Sequence, residues 1–432
     1  MPVRVFANSS LLVVLLGLAG LRVHAQSASA LAADWPQFRG PGGLGKSASG
    51  KPPVTWSATQ NLAWKIDLPG PGASSPIVSR GRIFLTCQSG YGVSSKEKGD
   101  LKDLKRHLVC LDPADGKILW NVSVPAELPE QDRIREDHGY ASSTPVADDR
   151  RVIVFFGKSG VFSFDLEGQQ LWRADVGSDL NGWGSAASPV IHGDLVIVNA
   201  SVESQSVIAL NRETGKEVWR ASGVHDAWNT PLVVASQGGK KELIVPMIRQ
   251  VLAFDPDSGR KLWSCDNGID WYICPSAVAD GGVVYSIGGR SGGGGLAIRT
   301  GGSGDVSGSH VLWKLKKGSN VPSPIHHEGH VYFAHDNLGI VYCLNAKTGE
   351  LVYEKRLEPS TGMFYASPVL ADGRIYYVAR DGRTIVLAAK PVFEELARNE
   401  LGDRGVFNAS PAVVGDRLLL RSDRRLYCIA AK

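Results

Sequence analysis

From residue 62 onward, apolar residues fall in short runs bounded by Gly, Asp or Asn. Residues 365–395 show the pattern most clearly. Ser367-Pro368 opens an apolar run, Asp372-Gly373 turns into a second run over 374–379, Asp381-Gly382 turns into a third over 384–389, and a fourth follows around Phe393. The runs are too short for helices, rich in β-branched and aromatic residues, and joined by turns that supply positive φ. They predict four antiparallel strands.

The opening recurs along the chain at Ser75-Pro76, Thr144-Pro145, Ser188-Pro189, Thr230-Pro231, Ser276-Ala277, Ser323-Pro324, Ser367-Pro368 and Ser410-Pro411. Most intervals are 42 to 47 residues; the first is 69, because the first unit carries a polar insertion over 88–107 and a long exit over 127–137. Four strands per period in the forties is the signature of a propeller blade. Proline fits an innermost edge strand, where a missing N–H costs little. The last unit has only three runs, whereas residues 62–68 supply a fourth with no preceding three. Pairing the two closes an all-β, eight-bladed propeller of four-stranded antiparallel blades and removes exposed edges.

The close of each unit also repeats. Its fullest copy is Ala209-Leu210-Asn211-Arg212-Glu213-Thr214-Gly215-Lys216-Glu217-Val218-Trp219. Asp or Asn starts the turn by bonding its own backbone, and Gly supplies the positive φ. The aromatic is expected to wedge between adjacent blades. Trp64, Trp120, Trp172, Trp219, Trp263 and Trp313 are the blade-docking candidates, with Tyr353 in a further copy. This Ala-x-Asp/Asn-x-x-Thr-Gly-x-x-x-Trp pattern resembles the tryptophan-docking repeat of the PQQ-like, quinoprotein-dehydrogenase-like propellers. The resemblance covers residues 60–432. The family includes quinone-dependent dehydrogenases and non-catalytic members such as the outer-membrane assembly lipoprotein BamB. Asp34 to Pro41 and Asp137 to Pro145 also resemble stretches in secreted bacterial propellers of unassigned role. Two departures weigh on function. Quinoprotein alcohol dehydrogenases carry a disulfide between adjacent cysteines and are longer; this chain has no Cys-Cys pair. The assembly lipoprotein needs a lipidated Cys, and none follows the apolar N-terminal run.

The N-terminus reads as an export signal. Arg4 precedes an apolar stretch over 11–19, and Val23-His24-Ala25 suits cleavage before Gln26. Three segments result: a signal peptide over 1–25, an extension over 26–60, and one propeller domain over 61–432. The expected location is periplasmic or extracellular, without lipid attachment or a transmembrane segment. The whole chain has 47 Lys and Arg against 43 Asp and Glu, and losing the leader brings it nearer neutrality. That argues against nucleic acid, which needs a concentrated basic face. Cys265 and Cys274 form the best candidate disulfide; Cys110, Cys343 and Cys428 read as small buried apolar residues.

Gly40, Gly45, Lys46 and Ser47 match the P-loop spacing, but no strand precedes them and no helix follows. A flexible N-terminal segment is expected instead. The Gly-rich stretch 288–308 predicts a long mobile hairpin in the fifth blade. Residues 96–106 predict a short surface helix or a disordered loop.

In a propeller, the loops before each blade's first strand share one face near the axis. Here they carry His138 and Tyr140; Asn181 and Trp183; His225, Asp226, Trp228 and Asn229; Asp270, Trp271 and Tyr272; Asn320; Phe364 and Tyr365; Phe407 and Asn408. Flat rings beside amides and carboxylates suit a planar or sugar-like ligand, or a protein hot spot. The leading reading is therefore a monomeric, non-catalytic binding or scaffold propeller of the cell envelope, with no cofactor assigned. The alternative is a PQQ- and calcium-dependent oxidoreductase of alcohols or sugars, with Asp226 or Asp270 as base. A polysaccharide-acting enzyme ranks third, because no paired carboxylates can be assigned.

Overall fold

The computed structural model describes residues 1–2, 34–94, 98–132, 138–290 and 293–431. The expected leader and its cleavage site lie outside the described residues. Eight sheets follow one another round the ring, each built on four antiparallel strands, and the fourth sheet carries an added fifth strand. Blade 1, for example, runs through Ile77–Ser79, Arg82–Ser89, Lys105–Leu111 and Ile118–Pro125. First strands touch the first strands of neighbouring blades, as Ile77–Ser79 does with Val146–Ala147 and Ala412–Val414, so they line the axis.

The ring closes as the repeat count requires. Leu62–Asp67 pairs antiparallel with Arg425–Ile429, with Trp64 opposite Cys428 and Ile66 opposite Leu426. Blade 8 therefore takes its outer strand from one end of the domain and its other three from the other end.

Two circular contacts lock the blades together. The outer one is the tryptophan set. Trp64 of blade 8 donates its indole N–H to the Pro113 carbonyl of blade 1 at 3.1 Å. Trp120, Trp172, Trp219 and Trp313 make the same bond to Leu166, Arg212, Pro256 and Ala346 of the next blade. Each ring lies on the turn glycine of that blade: a Cβ on Gly215 would sit 2.6 Å from Trp172, and one on Gly259 would sit 2.5 Å from Trp219. Only glycine allows that approach, and its positive φ makes the turn. Each buried indole removes roughly 150–250 Å² from water.

Trp263 departs from the pattern. It is fully buried between blades 4 and 5, but its N–H goes to Glu242 of its own blade at 2.9 Å. The cause is the glycine-rich stretch. Residues 288–308 do not form one long hairpin: Val283–Gly288 and Gly294–Arg299 are adjacent strands of blade 5, and the chain then folds back over blade 4. There Gly304–Asp305 runs parallel to Trp263 and Ser264 as a fifth strand. The Gly301 N–H completes the Glu242 carboxylate at 2.8 Å.

The inner circle is made by the repeat openings. Ser75 donates its backbone N–H to the Thr144 hydroxyl, Thr144 to Ser188, Ser188 to Thr230 and Thr230 to Ser276. Ser276 donates to Ser323, Ser323 to Ser367, Ser367 to Ser410, and Ser410 back to Ser75. All eight bonds are 2.9–3.2 Å long and run in one sense round the axis.

Three local expectations need correction. Residues 34–47 are not a loose segment. Trp35 exchanges both backbone bonds with Val78, Pro36 accepts from Ala147, and Gly45 and Ser47 bond Leu370. The segment thus crosses the axis from blades 1 and 2 to blade 7, and Arg39 on it is fully buried. Within 96–106, residues 96–97 lie outside the described residues; the rest forms a short 3-10 turn over Leu101–Asp103 and the start of the strand Lys105–Leu111. Cys265 and Cys274 are both free thiols. Cys265 sits in an outer strand, facing the core between blades 4 and 5; Cys274 lies just before an inner strand, at the axis. The radial width of a blade separates them. Cys110, Cys343 and Cys428 are buried, as small apolar residues would be.

Candidate functional site: an axial funnel

The face bearing the loops before each inner strand opens into a cavity of about 330 Å³ on the axis. All eight ring hydroxyls line it, and Phe38 of the crossing segment lies at its base. The loops of blades 4 and 5 build one wall together. Ala227 and Ile273 form a parallel bridge, and the Trp228 N–H bonds the Ile273 carbonyl at 2.8 Å. That sets Trp228 beside Tyr272, with ring centres 5.2 Å apart. Trp183 approaches the same tyrosine at 5.4 Å and Trp271 at 5.2 Å. The Trp228 indole is fixed by the Gly184 carbonyl at 2.7 Å. Such edge and tilted contacts favour a rigid aromatic wall.

Polar groups complete the lining. His138 Nδ1 is 2.7 Å from the Ser142 hydroxyl. Asn320 reaches the Tyr272 hydroxyl at 3.4 Å and donates its backbone N–H to Asp336 at 3.2 Å. Arg380 stacks over Tyr365 at 4.3 Å and bonds Asn408 at 3.0 Å. Arg290 reaches over Trp271 at the mouth. Burial, reinforced by Asp336, pushes the Cys274 thiol up to about 12, so it is a neutral thiol.

Of the sixteen residues expected on this face, seven line the cavity: His138, Trp183, Trp228, Tyr272, Asn320, Tyr365 and Asn408. The others lie elsewhere. Tyr140 packs in a satellite core with Tyr91 and Leu104. His225 and Asp226 are exposed beside each other in a separate shallow depression. Asn229 is buried and ties down the Pro246 and Ile273 carbonyls. Asp270 is exposed and pairs with Arg249. Trp271 backs Tyr272 without lining the cavity. Phe364 and Phe407 are core residues. Arg290, Asp336 and Asn337 were not expected in the lining. They come from connections between second and third strands, which share this face with the loops before the inner strands.

A calcium-bound quinone is the cofactor implied by the dehydrogenase-like repeat. Ca²⁺ takes six to eight oxygen ligands, several from carboxylates. Among the described residues, the funnel lining contains one carboxylate, Asp336, which already accepts a backbone N–H. Among the described residues, no group of three or more His, Cys, Asp or Glu could hold a metal ion. Asp226 and Asp270, the bases expected for that chemistry, stand outside the funnel. The donor set does not fit a calcium–quinone centre.

A closed ring of eight four-stranded blades, locked by indoles on turn glycines and opening to an axial funnel, defines a PQQ-like repeat propeller. The chain belongs to the family described as outer membrane protein assembly factor BamB, whose profile matches residues 90–232 and 249–432. BamB of Burkholderia pseudomallei is 31% identical over 131 residues, 30% of this chain and 31% of that protein. A tetrathionate hydrolase of Acidithiobacillus ferrooxidans is 26% identical over 206 residues, 42% of this chain and 37% of that protein. The chain thus spans about a third of the length of the curated relatives it matches. Among solved structures, BamB from Moraxella catarrhalis superposes with a TM-score of 0.60 at 16% identity, covering 86% of this chain and 97% of that one. The quinohemoprotein alcohol dehydrogenase of Comamonas testosteroni gives 0.65 at 12% identity, covering 94% and 82%. At such identities the likeness is one of fold. Among the described residues, no helix is long and apolar enough to cross a membrane.

Proposed function

We propose that this protein is an exported, non-catalytic binding propeller of the cell envelope that takes a ligand or a partner's side chains into its axial funnel. The observation that carries the reading is the funnel's make-up: a fixed aromatic wall of Trp183, Trp228 and Tyr272 facing amides and hydroxyls and, among the described residues, a single carboxylate that is already engaged. Such a surface holds flat or amphipathic groups well. The assembly-factor relatives favour the envelope setting. A hydrolase reading taken from the tetrathionate hydrolase would need a base or nucleophile, and the candidates among the described lining residues are His138 beside the Ser142 hydroxyl, Asp336 and a neutral Cys274 thiol.

The test adds pyrroloquinoline quinone and Ca²⁺ to purified protein. The expected result is no stoichiometric quinone after gel filtration and no dye-linked oxidation of alcohols or sugars. Retained quinone with turnover would replace this reading with the oxidoreductase. Site-specific photo-cross-linking from Met363, which lines the funnel, should give adducts in envelope extracts that Tyr272→Ala removes.

A further inference from the structure

We propose that the axial hydroxyl ring is a binding site for the oxyanion head of a small organic acid. The inference rests on the funnel being a binding site and names the chemistry it would take. Each ring hydroxyl accepts one backbone N–H, so its oxygen is anchored. None of the eight donates its own proton to a protein acceptor among the hydrogen bonds of the described residues. A hydroxyl has one donor and two acceptor sites. The ring therefore presents eight unused O–H donors to the axis, from side chains that are themselves buried. A converging set of donors calls for an acceptor.

The charge beneath the ring has the matching sign. Arg39 is fully buried and donates to the carbonyl of Pro324, the residue after ring member Ser323. Its Nε and Nη1 have no partner, and it makes no ion pair with a carboxylate among the described residues. Burial lowers its pKa only to about 9, so it stays a cation at neutral pH. A buried charge without a counter-ion is costly, and an anion supplied from the funnel would offset that cost. Arg290 adds a second cation at the mouth. The aromatic wall beside the ring suits an apolar, flat body behind the acidic head, and a cavity of about 330 Å³ suits a small molecule.

The test compares 1-naphthoate with its neutral isostere 1-naphthamide by calorimetry on the whole protein, with inorganic sulfate as competitor. The acid should bind about tenfold or more tightly than the amide, as charge-assisted hydrogen bonds require, and sulfate should displace it. Arg290→Gln, at the exposed mouth, should narrow the preference. Arg39→Met should weaken the acid about tenfold without weakening the amide. Should Arg39→Met fail to fold, the acid–amide ratio on the unaltered protein decides. Equal binding of acid and amide sinks the oxyanion site while leaving the funnel as a binding surface. Absence of acid binding at millimolar concentration also sinks it, and the cross-linking from Met363 then judges the broader reading separately.

Discussion

At the base of the axis, residues 34–47 lie across the ends of the inner strands, bury Trp35 and Arg39, and bond blades 1, 2 and 7. At the top, the loops before those same strands leave an open, polar cavity walled by rings. The repeat supplies both ends with the same eightfold frame, so the frame does not cause the difference. A segment outside the repeat fills one end with apolar side chains and main-chain bonds. At the other end, rings and hydroxyls of the described residues line the cavity. Packing energy belongs to the base, and the proposed recognition would belong to the mouth.

The largest expected effect breaks the base. Trp35 is 1% exposed, and its ring lies against Gly40, where a Cβ would come within 2.6 Å. Trp35→Ala should cost about 3–5 kcal/mol through lost burial and a cavity. Urea melts followed by far-UV circular dichroism check this. A loss below about 1 kcal/mol would mean that the crossing segment only rests on the ring.

A smaller effect sharpens the contrast through buried charge. Arg39 at the base stays ionised at neutral pH. Near the top, Glu203 is buried, accepts a hydrogen bond from Ser185, and has its carboxyl pushed up to about 7 by burial. The folded state then holds a proton that the unfolded state has lost between about pH 4.5 and pH 7. Stability should fall as pH rises across that window and level off above it, by at most about 1.4 kcal/mol per unit. Glu203→Gln should flatten the slope and raise the melting temperature at pH 8. Melting curves from pH 4.5 to 8.5 test both points; an unchanged slope in the variant would assign the pH dependence to other groups.

Much of this contrast is written in the chain. The blade count, the closing strand and five of six indole contacts follow from periodicity, because a pattern that repeats has to satisfy the same local geometry each time. Trp263 escapes that logic: its partner Glu242 is held by Gly301, on a stretch that belongs to the next blade. The funnel was half legible. Loop position tells which segment reaches the axis, not which side chain turns inward. Asp226 adopts a positive φ of 51° and faces outward, and Asn229 spends its amide on the backbone. Every opening carries a Ser or Thr in plain view, yet the proline that follows it in seven of the eight explains only an edge strand. The hydroxyl's partner exists only once the circle is closed. The crossing segment was hidden for a similar reason. Its glycines suggest looseness, whereas Gly40 and Gly45 are there because Trp35 and Arg39 leave no room for a Cβ.

The smallest effect on stability is expected at the mouth, and it is the one that separates the two ends. Trp183 is only half-buried, and its ring centre lies 5.4 Å from that of Tyr272. Trp183→Ala leaves a gap that water can enter, so the loss should stay below about 1 kcal/mol, the scale of one aromatic pair. The same change removes part of the wall against which a ligand's flat body would lie, so binding of an aromatic acid should weaken severalfold. Parallel melts and titrations on Trp35→Ala and Trp183→Ala would then show opposite profiles: stability lost at the base, affinity lost at the mouth. If Trp183→Ala lowers stability as much as Trp35→Ala, the mouth is a second core and its rings are packing. A large loss of affinity with an unmoved melt would mark them as a surface kept open for another molecule.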